Sequence, residues 1–343
     1  MPSTQSSAES PAPGRAAPPV LDIRDLRVEI PTRRRILVAV DGVSLQVAPG
    51  EVLGLVGESG AGKSLTGSAV IGLLEPPGRI AAGEIRLEGR RIDGLSHAEM
   101  RRLRGRRIGA VFQDPLTSLN PLFTVGDQLA ETMRAHLELS PGEAWRRAAA
   151  WLDEVGIHPG AVRAHHHPHQ FSGGMRQRIV LALALCAEPR LLVADEPTTA
   201  LDVSLQAQVV ALLRRLCRER GVAVLLITHD MGVVAEICDR VAVMYAGRIV
   251  ETGPTAQVLR TPLHPYAREL LACVPSLAPQ PGRLRQIDGA MPRLGEVPAG
   301  CAFHPRCPDA MERCRRERPE ARPEGERLVA CWLLAGPPQG GTP

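Results

Sequence analysis

Lysine is almost absent from this sequence. One residue, Lys63, stands in a chain of 343 whose lysines and arginines together number 41, so every other basic side chain is arginine. Asparagine also occurs once, as Asn120, and aromatic residues make up only 3%. Such broad losses read as the imprint of a GC-rich genome rather than of a binding role. The net charge of +4 is small and says nothing about nucleic acid, whose usual footprint is a concentrated basic face with stacking aromatics. No apolar run is long enough to cross a bilayer, and the start of the chain lacks a basic-then-apolar signal pattern. The expectation is a cytoplasmic chain, with a peripheral seat on a membrane protein left open. Aromatic poverty does not imply a poor core, because hydrophobic residues still supply 44%.

What is present starts at that single lysine. Gly57-Glu58-Ser59-Gly60-Ala61-Gly62-Lys63-Ser64 fits G-x-x-x-x-G-K-[ST], the phosphate-binding loop. An apolar strand precedes it (residues 51–56) and a helical pattern follows (65–74), so backbone N–H groups and a helix N-terminus converge on bound phosphates. A composition that replaces lysine elsewhere keeps it here, where a compact ammonium bends over the β- and γ-phosphates as a rigid guanidinium cannot.

The rest of the chain alternates strand and helix. Residues 21–30, 39–47, 84–89, 108–112, 191–194 and 222–228 read as strands, and 241–252 as a hairpin around Ala246-Gly247. Residues 1–20 form a serine/alanine/proline-rich leader expected to be disordered. From about 116 to 186 the pattern turns helical, with Ser140-Pro141-Gly142-Glu143 as a helix start, and 204–220 is amphipathic up to Gly221. The fold class expected is α/β: a P-loop NTPase with a mixed sheet core, an inserted α-helical subdomain, and a small irregular C-terminal unit carrying four cysteines. Expected boundaries are 21–255 for the nucleotide-binding domain and 256–343 for the tail.

Further residues supply the chemistry. Asp195 ends an apolar strand, where a P-loop enzyme needs a carboxylate for Mg²⁺ opposite the Ser64 hydroxyl. Glu196 follows and suits a general base for water. Ser172-Gly173-Gly174-Met175 leads into the helical run after it, a second anion-binding helix start. Two such sites in one chain make sense when two copies face head-to-tail and each closes the other's site. Phe171-Ser172-Gly173-Gly174-Met175-Arg176-Gln177-Arg178, in order with the other motifs, resembles the signature of the ATP-binding-cassette ATPases, with Phe171 and Met175 in place of the commoner leucine and glutamine.

The resemblance covers residues 21–333 and implies further roles. Gln113 resembles the Q-loop glutamine that senses Mg²⁺ and the γ-phosphate, His229 the switch histidine that contacts it, and Asp202 the D-loop aspartate that joins the two halves. Residues 32–40 lack the aromatic on which the family often stacks adenine, leaving Arg34 or Ile36 to pack on the base. The run from Gln113 to Pro121, with His167-Pro168-His169-Gln170, resembles the branch serving oligopeptide, dipeptide and nickel importers. The histidine run 165–169 reads as a solvated lead-in rather than a metal site. Among the eight cysteines, Cys186, Cys217, Cys238 and Cys273 read as small core residues.

Cys301, Cys307, Cys314 and Cys331 have five, six and sixteen residues between them. A reducing cytoplasm disfavours disulfides, and the tight pairs of structural zinc sites are absent. Iron–sulfur clusters tolerate wider spacing. The resemblance extends over this tail, and some members of the branch hold a [4Fe-4S] cluster there; Zn²⁺ is the alternative, and free thiols in a regulatory tail a third reading. The resemblance thus implies an ATPase subunit of a peptide importer, with a nickel or glutathione importer as the alternative, binding ATP and Mg²⁺ at the cytoplasmic face of the membrane. Expected partners are a sister ATPase in a heterodimer, two permease subunits and an external substrate-binding protein, and no nucleic acid. A soluble cassette protein would more often carry two cassettes or a long coiled coil, and neither is visible. A redox- or metal-sensing ATPase would make activity follow the state of the tail.

Overall fold

The computed structural model describes residues 18–113, 118–199, 201–273 and 286–334. Most of the leader, residues 114–117 of the stretch after Gln113, Ala200 beside the D-loop, and residues 274–285 and 335–343 lie outside the described residues. Twelve strands are assigned among the described residues: β1 (Leu21–Pro31), β2 (Ile36–Val47), β3 (Val52–Val56), β4 (Arg79–Leu87), β5 (Arg90–Arg91), β6 (Ile108–Val111), β7 (Leu191–Asp195), β8 (Ala223–Thr228), β9 (Arg240–Tyr245), β10 (Arg248–Pro254), β11 (Arg322–Glu324) and β12 (Arg327–Val329).

They form two sheets. The smaller is antiparallel, in the order β2-β1-β4-β5, so the strand read at residues 84–89 is longer than expected and lies inside its sheet. The larger has the order β11-β12-β10-β9-β3-β8-β7-β6. Its centre, from β9 through β3, β8 and β7 to β6, is parallel, while β10, β12 and β11 join antiparallel.

Parallel strands are covered on both faces, which is why β3, β7 and β8 read as unbroken apolar runs. Their side chains still alternate between two cores. Leu53, Leu55, Leu191, Val193, Leu225 and Ile227 face the core shared with the small sheet and the helix Lys63–Ile71. Val52, Val56, Leu192, Ala194, Val224 and Leu226 face the opposite core, built with the inserted helices, the helix Val203–Arg220 and part of the tail.

The insertion contains the helices Val125–His136, Pro141–Glu154 and Gly160–Arg163. Two of them start on capped residues, Thr124 accepting from the Asp127 N–H and Ser140 from the Glu143 N–H. Trp151 ties the insertion to the cassette, its ring 4.3 Å beneath the Arg220 guanidinium, which also pairs with Glu154.

Beyond residue 255 the chain does not stand apart as its proline-rich composition suggests. Its hairpin β11–β12 pairs with β10 through Glu251↔Val329 and Thr252↔Leu328, extending the main sheet. Phe303, 1% exposed, packs edge-on against Tyr245 at the end of β9 and against Tyr266.

Candidate nucleotide site

Residues 57–64 run from the end of β3 into the helix Lys63–Ile71. Gly57 has φ +151°, and a Cβ there would lie 2.2 Å from the Met244 carbonyl oxygen of β9. Gly62 has φ +106°, and its Cβ would meet the Ala39 carbonyl at 2.8 Å. Only glycine fits either place. Lys63 is 6% exposed, and its Nζ donates to the carbonyls of Gly57 at 2.8 Å and Glu58 at 2.9 Å. The ammonium therefore closes the loop on itself. Burial holds its pKa below the usual lysine range, against the nearby charges of Glu196, Asp195 and Glu58.

Across the loop, Asp195 ends β7 and its Oδ1 accepts from the Ser64 hydroxyl at 3.2 Å. Burial pushes the Asp195 carboxyl above its ordinary range, and the Glu196 charge adds to that push against the Ser64 bond. Glu196 has φ +48°, a left-handed conformation costly for a non-glycine residue, which turns its carboxylate out of the strand line. Three donors cradle it. His229 Nδ1 lies 2.8 Å from Oε1, and Oε2 accepts from Thr199 Oγ1 at 2.8 Å and from Gln113 Nε2 at 3.4 Å. Burial alone would raise the Glu196 pKa, but the bonds from His229 and Thr199 outweigh it and hold the carboxyl below its usual value. Lys63, Ser64, Gln113, Asp195, Glu196 and His229, read from four separate places in the sequence, thus meet at the C-terminal ends of the parallel strands, where open α/β sheets bind ligands. Sequence reasoning gives Thr199 no role, because the left-handed turn at Glu196 that precedes it has no signal in the sequence.

Ser172 caps the helix Gly173–Leu185 by accepting from the Met175 N–H at 3.4 Å, while Ser172 and Gly173 remain exposed. Phe171 is 3% exposed and fills the helical core, which explains an apolar residue at that place. Gly174 lies beneath Leu205, so the helix start packs on the helix Val203–Arg220. Asp202 caps that second helix through the Leu205 N–H at 2.9 Å. None of these groups hydrogen-bonds the phosphate loop of the same chain among the bonds described. Between β1 and β2, Ile36 is 53% exposed, and Arg35 Nη1 donates to the Gly295 carbonyl at 3.1 Å.

The tail also reaches the loop. The Glu58 N–H donates to Tyr266 Oη at 2.8 Å, and Arg306 pairs with the Glu58 carboxylate through Nη1 at 2.8 Å and Nη2 at 3.0 Å. No local pattern announces a contact between residues so far apart in sequence.

Comparison with known proteins places this geometry. Residues 40–199 match the family model described as ABC transporter. An oligopeptide transport ATP-binding protein, OppD of Salmonella typhimurium, is 45% identical over 329 residues, covering 96% of this chain and 97% of that one. The chain belongs to the ABC transporter ATP-binding proteins. Residues 250–314 of this ABC protein match a second model, oligopeptide/dipeptide transporter, C-terminal region. A dipeptide transport ATP-binding protein, DppD of Bacillus subtilis, is 46% identical over 316 residues, covering 92% and 94% of the two chains. Among solved structures, the ATP-binding cassette MJ0796, in a dimeric post-hydrolysis state with ADP and Pi, matches with a TM-score of 0.61 at 27% identity. It covers 68% of this chain and 98% of that one.

Among the described residues of this ABC protein, no group of three or more His, Cys, Asp or Glu is placed to hold a metal ion, so the placement of Cys301, Cys307, Cys314 and Cys331 lends no support to the iron–sulfur or zinc site expected there. All four are free thiols. Burial raises the pKa of Cys301 and Cys331 and pushes Cys307 up to about 11, with the backbone at Phe303, Asp309 and Leu333 pulling weakly the other way. Cys186, Cys217 and Cys238 are buried, their pKa pushed up to about 12 by burial, as core thiols should be; Cys273 is only half-buried. Among the described residues no helix is long and apolar enough to cross a membrane.

Proposed function

We propose that this chain is the ATP-hydrolysing subunit of a peptide importer, held at the cytoplasmic face of the membrane by permease subunits. The observation that carries the reading is the joining, in one chain, of the ABC site around Glu196 to a C-terminal region of the oligopeptide/dipeptide transporter type. The OppD and DppD names of its relatives give the solute class.

In this reading the backbone N–H groups of residues 59–62 and the Lys63 ammonium hold the phosphates, the Glu58 N–H being given to Tyr266 Oη, and Lys63 leaves the two carbonyls it caps. Ser64 and Asp195, with Gln113 nearby, are the residues that would hold Mg²⁺. The fit rests on two adjacent carboxylates, one with its pKa raised by burial and like charge, facing a hydroxyl. Bound there, the ion would neutralise charge on the phosphates. Glu196, kept ionised by His229 and Thr199, accepts a proton from water as its oxygen bonds to the γ-phosphorus and ADP leaves. His229 then stands beside the phosphoryl oxygens.

Ser172 and Gly173, exposed at a helix start that continues through Gly174 and Met175 and unengaged with their own loop, complete the site of a second ATPase subunit, and Asp202 lies at that junction. We assign that subunit to a sister chain, and the external binding protein to solute selection. A [4Fe-4S] cluster on the tail is supported only by the chemistry of the donors, four thiols of which Cys301 feels the charges of Cys314 and Cys331. Iron analysis of anaerobically purified chain tests that part; absent iron refutes it. The main test is to purify the complete membrane complex, identify the ligand on its binding protein and measure uptake. ATP-dependent uptake of peptides supports the proposal, and a non-peptide solute or ATP-independent uptake refutes it.

A further inference from the structure

The mechanism leaves one feature of the phosphate loop unexplained. Glu58 contributes no ligand in the reading above, yet it is gripped on three sides. Its N–H goes to Tyr266 Oη, its carbonyl receives Lys63 Nζ, and its carboxylate takes a two-pronged pair from Arg306. The Arg306 side chain is 5% exposed and Glu58 is 28% exposed, so the pair is largely withdrawn from water. Such pairs recover little net stability, because desolvation offsets the attraction, and their use is geometric.

Arg306 is itself fixed. Its Nε donates to the Asp288 carbonyl at 2.9 Å, and Nη2 to the Ile287 carbonyl at 3.4 Å. Its guanidinium lies 5.8 Å from the Tyr245 ring centre and 6.0 Å from that of Phe303. Tyr245, Tyr266 and Phe303 are almost fully buried and pack edge-on in one cluster. The anchor is a rigid aromatic block from three distant segments, and what it holds is the second residue of the phosphate loop.

The consequence appears when phosphate arrives. Lys63 then gives up its bonds to the Gly57 and Glu58 carbonyls, and the loop loses its internal tie as it must keep its N–H groups aimed inward. We propose that Arg306 is a positioning residue for ATP binding, which keeps the phosphate loop open by holding Glu58 from the C-terminal segment after Lys63 has moved to the phosphates. A loop already in its binding shape spends less ordering entropy on the ligand. Losing the grip therefore weakens nucleotide binding more than it slows the chemical step.

This rests on the assignment of residues 57–64 as the ATP site. The test titrates MgATP into full-length wild type, Arg306→Gln, Arg306→Lys, Glu58→Gln and the Glu58→Gln/Arg306→Gln double variant, with melting curves for each. The complete complex supplies KM and kcat. Arg306→Gln is expected to weaken MgATP binding about tenfold, the worth of one charge-assisted hydrogen bond, and to raise KM with kcat little changed. Lysine should restore part of the loss. The double variant should bind no worse than the weaker single one, because both remove the same pair. Arg306→Gln that melts lower but binds MgATP like wild type would overturn the proposal, as would additive losses in the double variant. Should Arg306→Gln fail to fold, Glu58→Gln decides alone, since it leaves Arg306 its bonds to Asp288 and Ile287. Wild type that binds no MgATP would instead refute the ATP site itself.

Discussion

Replacing Glu196 by glutamine isolates the proton-accepting step from the architecture around it. The amide has the size of the carboxylate and offers an oxygen to Thr199 Oγ1, which donates at 2.8 Å in the native chain. Its NH₂ faces the place where His229 Nδ1 stands 2.8 Å from Oε1. Both residues meet the same backbone cost at φ +48°. Stability should therefore change by no more than about 1 kcal/mol, the net worth of one hydrogen bond. Removing the charge also relieves Asp195, whose pKa should move back toward the ordinary carboxyl range, and MgATP binding should survive. Turnover should not. Losing a general base costs roughly 10² to 10⁴ in rate, or about 3 to 5 kcal/mol of transition-state stabilisation. Phosphate release by the complete complex, measured at saturating MgATP beside a binding titration, separates the two effects. A variant that binds MgATP and turns over within about threefold of wild type would refute the assignment of Glu196.

Three further outcomes are expected. Lys63→Ala should abolish measurable ATP-driven uptake while melting cooperatively, because its native bonds go only to loop carbonyls; uptake near wild-type rates would refute its role. Ser172→Ala should cost about 1 kcal/mol of stability through the lost helix cap. It should also depress turnover when its partner's site is intact, and a variant showing the stability loss alone would argue that the serine is only a cap. Stability should fall on acidification from about pH 6.5, because burial holds the His264 pKa down to about 3 and its Nδ1 accepts from the Tyr266 N–H. The folded pKa is depressed, so the stabilisation is complete above the unfolded value and shrinks as pH drops toward the folded one. Urea unfolding over this range checks it, and His264→Gln should flatten the curve; an unchanged slope in that variant would refute the assignment.

Much of the nucleotide site is legible in the sequence because its parts are local. The loop is a short run of glycines leading to Lys63-Ser64, and Asp195 and Glu196 announce themselves by ending an apolar run. Strands buried on both faces, β3, β7 and β8, are equally plain. What escapes is what depends on distance. Thr199 matters only because Glu196 turns back through a left-handed conformation, and nothing in the sequence signals that turn. The pairing of β10 with β12, and of Glu58 with Arg306, joins segments whose composition gives no hint of contact. The four tail cysteines differ again: their number and spacing suggest a common ligand set, which no group of side chains among the described residues supports.

The hairpin β11–β12 has a consequence for how the protein is made. Synthesis delivers the cassette before the strand that shields β10, so until β12 arrives β10 lies at an open side of the main sheet. The bonds it lacks are specific: the ladder at Glu251 and Thr252, and the Val250 carbonyl that later accepts from the Ala330 N–H at 2.9 Å. An unpaired edge of this kind invites strands from other chains. A ribosome stalled between β10 and β12, or a protease cutting there, would release a cassette with every ATP-site motif in place and an adhesive flank. The hairpin β11–β12 thus acts as a seal on an edge that the cassette's own strands leave open.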